Sequence, residues 1–225
     1  MSETNDPANG VAPARPAATV IVAREVEAGL EVLLLERSAV GAFAGMWVFP
    51  GGRVDDADSG HDELSRAASA AVREAREEVA LDVDPASLIP LAHWTPPSIT
   101  PKRYTTWFFV APWSGQEHTI DAHEIVGAQW ILASAALAAG LPIAPPTHVT
   151  LETLAAVATF DALRTLIVAR GIERFVTLPT SHDGSMVLLW EPDAGYATAD
   201  PTAPGARHRL TVRDGEASCY ERSHP

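Results

Sequence analysis

The chain has 225 residues, 47% of them hydrophobic, with 16 Lys and Arg against 29 Asp and Glu, a formal net charge of −13 and one cysteine. That length suits one elaborated domain with a sizeable core, and the composition excludes wholesale disorder. A surface this acidic repels phosphate backbones, which excludes non-specific binding to nucleic acid polymers or to an anionic membrane; any phosphate it does bind needs local basic groups, a helix N-terminus or a bridging divalent cation.

The lone Cys219 allows neither an internal disulfide nor a cysteine-cluster metal site, which fits a reducing compartment. The opening residues have no apolar run behind a basic one, unlike a signal peptide, and nowhere does an apolar run approach the roughly 18 residues of a membrane span. A cytoplasmic protein without membrane contact is therefore expected.

Residues 1–17 are rich in Pro, Ala and Asn without periodicity and are expected as a disordered tail. A single domain is expected over 18–225, with a core at 18–147 and a C-terminal extension at 148–225. ATVIVAR (18–24) and LEVLLLE (30–36) are strand-like runs separated by the turn-prone Glu27-Ala28-Gly29, which predicts a hairpin. Trp47-Val48-Phe49 then runs into Pro50-Gly51-Gly52, where proline ends the strand and glycine opens backbone conformations closed to other residues. From Glu63 to Val79 the sequence is dense in Ala, Glu and Arg and predicts a helix, with Ala67, Ala71, Ala75 and Val79 as a narrow packed stripe. Further strands are expected at 89–94, 103–111 and 127–131. Pro145-Pro146-Thr147 reads as a break, followed by one or two helices from Thr150 as N-cap to Arg170, with Gly171 as the stop. Strands at 175–178, 186–190, 209–213 and 218–221 complete the pattern. Strands around one central helix, with helices added late, argue for a mixed α+β layered domain and not a doubly wound parallel sheet.

The chemistry is concentrated in Arg73-Glu74-Ala75-Arg76-Glu77-Glu78. At 100° per residue, Glu74, Glu77 and Glu78 fall within one arc of a helix. Three carboxylates on one arc repel unless solvated, paired or bound to metal, and hard ions such as Mg²⁺ and Mn²⁺ favour such oxygen ligands. Arg73 would pair with one of them and fix its rotamer. An exposed helix with i,i+4 ion pairs has the same composition. Yet Arg-Glu-x-x-Glu-Glu arises by chance only about once in 300 chains of this length, taking about 6% for each residue type.

Phe49-Pro50-Gly51-Gly52 followed by Arg73-Glu74-Ala75-Arg76-Glu77-Glu78-Val79-Ala80-Leu81 resembles the signature of the Nudix hydrolases, G-x5-E-x7-R-E-U-x-E-E-x-G-U with U apolar. The resemblance implies a Nudix-type α/β/α sandwich with a mixed sheet and a loop-helix-loop motif. It also implies hydrolysis of a nucleoside diphosphate linked to another moiety, with Mg²⁺ or Mn²⁺ as cofactor. Carried over, it makes Glu74, Glu77, Glu78 and the Gly52 carbonyl metal ligands, and gives Arg73 the task of orienting Glu74. A dimer is a frequent state in the family. The chain departs from the signature in three places: Gly52 to Arg73 spans 21 positions against 14 in the signature, Ser65 stands eight before Arg73 where the signature has glutamate, and Ala80 replaces the terminal glycine.

The long loop, together with Leu33 to Ser38, Gly45 to Asp58, Trp94-Thr95-Pro96 and Pro145-Pro146-Thr147, resembles the Nudix branch of coenzyme A and acyl-CoA diphosphatases. That branch's arginine between Arg37-Ser38 and the box is absent here. In this reading Arg37, Arg53, Lys102, Arg103 and Tyr104 contact the substrate, and Glu124, ahead of the strand at 127–131, is a catalytic base or extra ligand, with Glu117 as its competitor. Asp55, Asp56 and Asp58 read as a hydrated acidic loop, and Trp107 and Phe109 as core aromatics. The histidines show no metal-ligand spacing, and neither a nucleophile elbow nor a P-loop is present. A Nudix-like module that binds a nucleotide without turnover is the alternative from another class; three clustered acids argue against it.

Overall fold

In the computed structural model, which describes residues 13–40, 43–100, 102–212 and 218–223, the chain opens with a hairpin of β1 (Arg15–Val26) and β2 (Gly29–Arg37). The strand begins at Arg15, so the expected tail is shorter than 1–17. Arg15, Pro16 and Ala17 pair in parallel with Tyr104, Thr105 and Thr106 of β6 (Tyr104–Pro112), and that ladder extends the strand past the β-branched run. Residues 1–12 lie outside the described residues.

The hairpin is paired only at its closed end, from Ala23↔Val32 to Val26↔Gly29. Beyond it the strands part, and the segment WVFPGGR fills the gap. Its first half, β3 (Trp47–Val48), pairs with Leu35 and Glu36 of β2, and its second half, β4 (Gly51–Arg53), pairs with Ala17 to Thr19 of β1. Pro50 supplies the bend between them and its carbonyl accepts from Val20 N–H at 2.9 Å. With β5 (Ile89–Thr95), β7 (Ile125–Leu132) and β8 (Glu173–Val176) the mixed sheet runs β3-β2-β1-β6-β5-β8, with β4 added to β1 and β7 to β2.

Helix α1 (Glu63–Val79) covers one face. Asp62 caps it, accepting from Ser65 N–H, while Ser65 Oγ accepts from the Asp62 N–H in return. The expected alanine stripe is buried with Val79 against Val20, Leu33, Leu35, Trp107 and Phe109. The small side chains let the helix backbone approach the sheet closely, and each fully buried leucine contributes about 1.5–3 kcal/mol. The helix ends on Ala80 at φ 54°, a left-handed position that costs alanine about 1 kcal/mol relative to the signature's glycine.

The other face carries α2 (Ala133–Ala138), α3 (Pro145–Ala155) and α4 (Phe160–Arg170), packed with a second antiparallel sheet ordered β12-β11-β10-β9. Helix α2 is not apparent in the sequence; its six residues are mostly alanine. Helix α3 starts at Pro145 and not at Thr150, because proline fits the first turn of a helix, where its missing N–H has no partner to lose. Gly171 ends α4 at φ 75°, as expected. The strand expected at 175–178 is two, β8 and β9 (Leu178–His182), separated at Thr177. β10 (Ser185–Leu189), β11 (His208–Val212) and β12 (Cys219–Arg222) follow. Arg213, expected at the end of β11, lies outside the described residues. Trp94 of β5 stacks on Phe175 of β8 with ring centroids 3.9 Å apart, and Trp190 meets both edge-on at 5.6 Å. This aromatic joint ties the extension to the main sheet. The whole is an α+β architecture with helices on both faces of a mixed sheet. No helix among the described residues is long and apolar enough to cross a membrane.

Candidate active site

β4 threads directly beside α1. A methyl added to Gly52 would collide with the Glu74 carboxylate, so the missing side chain is what lets Glu74 lie against the strand. The preceding Gly51 N–H donates to Glu78 Oε2 at 2.9 Å. Glu74 and Glu78, one turn apart, thus face the Gly51-Gly52 backbone, and Glu77 lies further out and exposed.

Two arginines organise the carboxylates. Arg73 Nη1 donates to Glu74 Oε1 at 2.8 Å and to Glu77 Oε2 at 3.0 Å. Its other edge donates through Nε and Nη2 to the two oxygens of Asp58, both at 3.0 Å, and Nη2 also reaches the Arg53 carbonyl at 2.9 Å. Arg37, at the end of β2, donates to Glu124 Oε2 at 2.5 Å and to Glu78 Oε1 at 3.4 Å. Ser38 N–H donates to the Glu124 carbonyl at 2.8 Å, so main chain and side chain together hold Glu124 near the helix. Glu124 stays 66% exposed in its side chain, and so is open to solvent and to an incoming ligand.

Burial, first of all, pushes Glu78 up to about 7, and the nearby Glu74 and Glu124 add to it. Burial likewise raises Glu74 above the usual carboxylate range, against the pull of Arg73. Ionising these two carboxyls is costly chiefly because they are buried. Such a donor set suits a hard divalent cation, whose charge would favour the ionised forms. Among the described residues no three acidic, His or Cys side chains converge as a ready-made cation cage. Arg73 and Arg37 draw the carboxylates toward themselves, and the fit therefore rests on donor chemistry and proximity.

The residues expected at the substrate fall into two groups. Arg37, expected at the substrate, has its guanidinium on Glu78 and Glu124. Arg53, Lys102 and Tyr104 lie at the open end of β1, β4 and β6, and Arg103 there donates through Nη2 to the Pro96 carbonyl at 3.3 Å. Glu117 is exposed on the loop after β6. Trp107 and Phe109 are buried under α1, as expected.

Asp58 corrects the expectation of a hydrated loop: its side chain is 4% exposed. Burial acts to raise its carboxyl, but hydrogen bonds from Arg73 and the Asp55 backbone outweigh that and hold it below the usual range. Counting forward from Gly52 would have found it, because the signature's acid stands six positions after the glycine and so does Asp58. Counting back from Arg73 lands on Ser65, which is part of the α1 cap. Glu63, the nearest glutamate before Ser65, accepts from Trp107 Nε1 at 2.9 Å. The seven extra residues therefore fall after Asp58, in the loop leading to α1.

The sequence matches the profile of the NUDIX domain over residues 13–149. A crystal structure of a NUDIX hydrolase from Alicyclobacillus acidocaldarius superposes with a TM-score of 0.61 at 23% identity, over 72% of this chain and 97% of that one. A MutT NUDIX hydrolase from Burkholderia pseudomallei gives 0.49 at 21% identity, over 63% of this chain and 98% of that one. The NUDIX domain of Shewanella oneidensis NrtR, complexed with ADP ribose, gives 0.48 at 20%, over 76% and 97%. The first of these likenesses shows the fold. No curated protein matches the chain.

Proposed function

The chain belongs to the Nudix family and is an enzyme of its pyrophosphatase class, and on that premise we propose that it cleaves nucleoside diphosphates linked to a further moiety with Mg²⁺ or Mn²⁺ held by Glu74, Glu77, Glu78 and the Gly52 carbonyl. The observation that carries the proposal is that Glu74 and Glu78, both with raised carboxyls, face the Gly51-Gly52 backbone while Arg37 links Glu78 to Glu124.

When bound, the cation supplies charge to offset the diphosphate and acidity to the attacking water. The chain's own groups do the rest. Arg73 fixes Glu74 and Glu77, Arg37 fixes Glu124 beside Glu78, and Glu124, exposed and hydrogen-bonded at one oxygen, takes the proton of the attacking water. The water oxygen bonds to one phosphorus, the bridging P–O bond breaks, and two phosphomonoesters leave. Phosphoryl transfer asks chiefly for positioning and charge stabilisation, which a rigid helix against a rigid strand provides. Coenzyme A and its esters are the finer substrate class within this proposal.

The test is a panel of nucleotide-linked diphosphates incubated with Mg²⁺ or Mn²⁺ and read by mass spectrometry, comparing the wild-type chain with Glu77→Gln. Cation-dependent release of two phosphomonoesters, slowed about 100-fold or more in the variant, is expected. Cleavage of none of them, or equal rates for both proteins, refutes the proposal.

A further inference from the structure

Among the described residues, Arg15 and Arg53 are exposed and neither side chain has a hydrogen bond or ion pair, although the chain carries 29 acids.

Strand register places them together. Ala17 stands opposite Arg53 across β1 and β4, so Arg15 is the diagonal neighbour of Arg53, about 7–8 Å away. β4 also shows which face they share. A methyl on Gly51 would meet Thr19 Oγ1 at 2.7 Å, whereas one on Gly52 would meet Glu74. Gly51, and Arg53 two residues on, therefore look away from α1. Arg15 lies on that same face with Thr19 and stands in parallel register with the half-buried Tyr104, whose hydroxyl bonds to no described residue. The patch is coupled to the carboxylates through the Arg53 carbonyl, which accepts from Arg73.

We infer that Arg15 and Arg53, with Tyr104, form a second anion subsite that takes a phosphomonoester carried by the substrate outside the link being cut. The inference rests on the proposed diphosphohydrolase reading. Two exposed arginines at diagonal positions of one face can both reach a phosphate dianion, whose oxygens match their planar donor edges. The acid-rich surface around it repels the same group, which favours a basic patch as its place of arrival.

The test uses the full chain at low ionic strength. Calorimetry compares adenosine 3′,5′-bisphosphate with AMP, on the wild type, on the Arg15→Ala/Arg53→Ala double variant and on Arg15→Lys/Arg53→Lys. The wild type is expected to bind the bisphosphate about tenfold tighter. That ratio collapses toward one in the alanine variant, is partly kept in the lysine variant, and shrinks with added salt. Kinetics then compare coenzyme A with its 3′-dephospho form, which share the scissile link, and the KM ratio is expected to follow the binding ratio. Equal binding of the two nucleotides by the wild type, or a ratio unchanged in the alanine variant, overturns the subsite. A preserved binding preference with cleavage of no diphosphate leaves the subsite standing and refutes the hydrolase reading instead.

Discussion

Asp58 receives one donor edge of Arg73, Nε and Nη2, at 3.0 Å each, and so a loop residue fixes the guanidinium whose far side holds Glu74 and Glu77. Asp58→Ala leaves Arg73 partly desolvated and free to swing. Removing one partner of a buried pair costs about 3–5 kcal/mol, and since Arg73 keeps contact with water and other acids, a loss of about 2–3 kcal/mol is expected in urea unfolding. Asp56→Ala, in the same loop but exposed, is the control and should change stability by less than about 0.5 kcal/mol. Equal effects of the two would mean that Asp58 anchors nothing.

The adjacent glycines separate function from folding. On Gly52 an added methyl meets the end of the Glu74 side chain, which can move, whereas on Gly51 it meets the Ala18 carbonyl at 2.5 Å, which is ladder backbone and cannot. Gly52→Ala is therefore expected to reduce kcat by about 100-fold through a displaced carboxylate while the thermal midpoint shifts little. Gly51→Ala is expected to lower the midpoint, with residual activity following the folded fraction. The reverse ranking in a paired thermal and kinetic assay would contradict the placement of β4.

Helix α1 is fully legible in the sequence, from Glu63 to Val79, because its composition, its alanine stripe and the Arg-Glu-x-x-Glu-Glu run all specify one element. The partners of its arginine are not. Asp58 sits in a stretch of acids that looks hydrated, and only the fold shows Arg66 and Arg73 drawing that stretch back onto α1. Arg37 likewise closes an apolar run and is expected at the substrate, yet the sheet aims it at Glu78. A three-dimensional meeting of residues 41 positions apart leaves no local trace. The short α2 and the split of β8 from β9 are hidden for another reason: alanines and a single-residue break carry little periodicity to read.

Arg37 joins Glu78 to Glu124, so the three should act as a unit. Arg37→Ala leaves two carboxylates facing each other with their mutual repulsion uncompensated, and Glu124 swings to solvent. Arg37→Ala and Glu124→Ala are each expected to lower kcat/KM by about 10–100-fold, and the double variant to be no slower than the worse single one. Strict additivity in this double-mutant cycle would show that the two residues act separately.

Acid stability has two stages with known signs. Burial lowers His208 below its ordinary value, so the unfolded chain takes up the proton first. That contribution to stability is complete above about pH 6.5 and is lost as pH falls through the folded value. Asp193 is held low: burial acts to raise it, but Arg209, bonded at 2.6 and 2.8 Å, and two backbone N–H groups outweigh burial. Its contribution persists below His208's and is lost only as pH falls below about 4. Glu74 and Glu78, raised in the fold, act with the opposite sign, so variants are needed to isolate each term. His208→Asn should flatten the fall in urea midpoint between pH 7 and 5 relative to wild type. Asp193→Asn, which strands a buried guanidinium, should cost about 3–5 kcal/mol at pH 7.

Cation binding gives a readout that needs no substrate. A ligand that binds only the folded state stabilises it by RT ln(1 + [L]/Kd), about 2.7 kcal/mol at a hundredfold excess over Kd. Titration with Mn²⁺ or Mg²⁺ is therefore expected to raise the thermal midpoint by several degrees, and a chelator to reverse the rise. Burial is the main cause that raises Glu74 and Glu78, so the cation competes with protons there and the gain should shrink as pH falls below about 7. Removing a buried charge by mutation should favour the cation-free fold. Glu78→Gln is expected to raise the midpoint of the cation-free protein slightly and to abolish most of the response to cation, whereas Glu117→Gln, on its exposed loop, should leave the response intact. If Glu78→Gln keeps the full cation response, the ion binds elsewhere and the assignment of the helix carboxylates as its ligands fails.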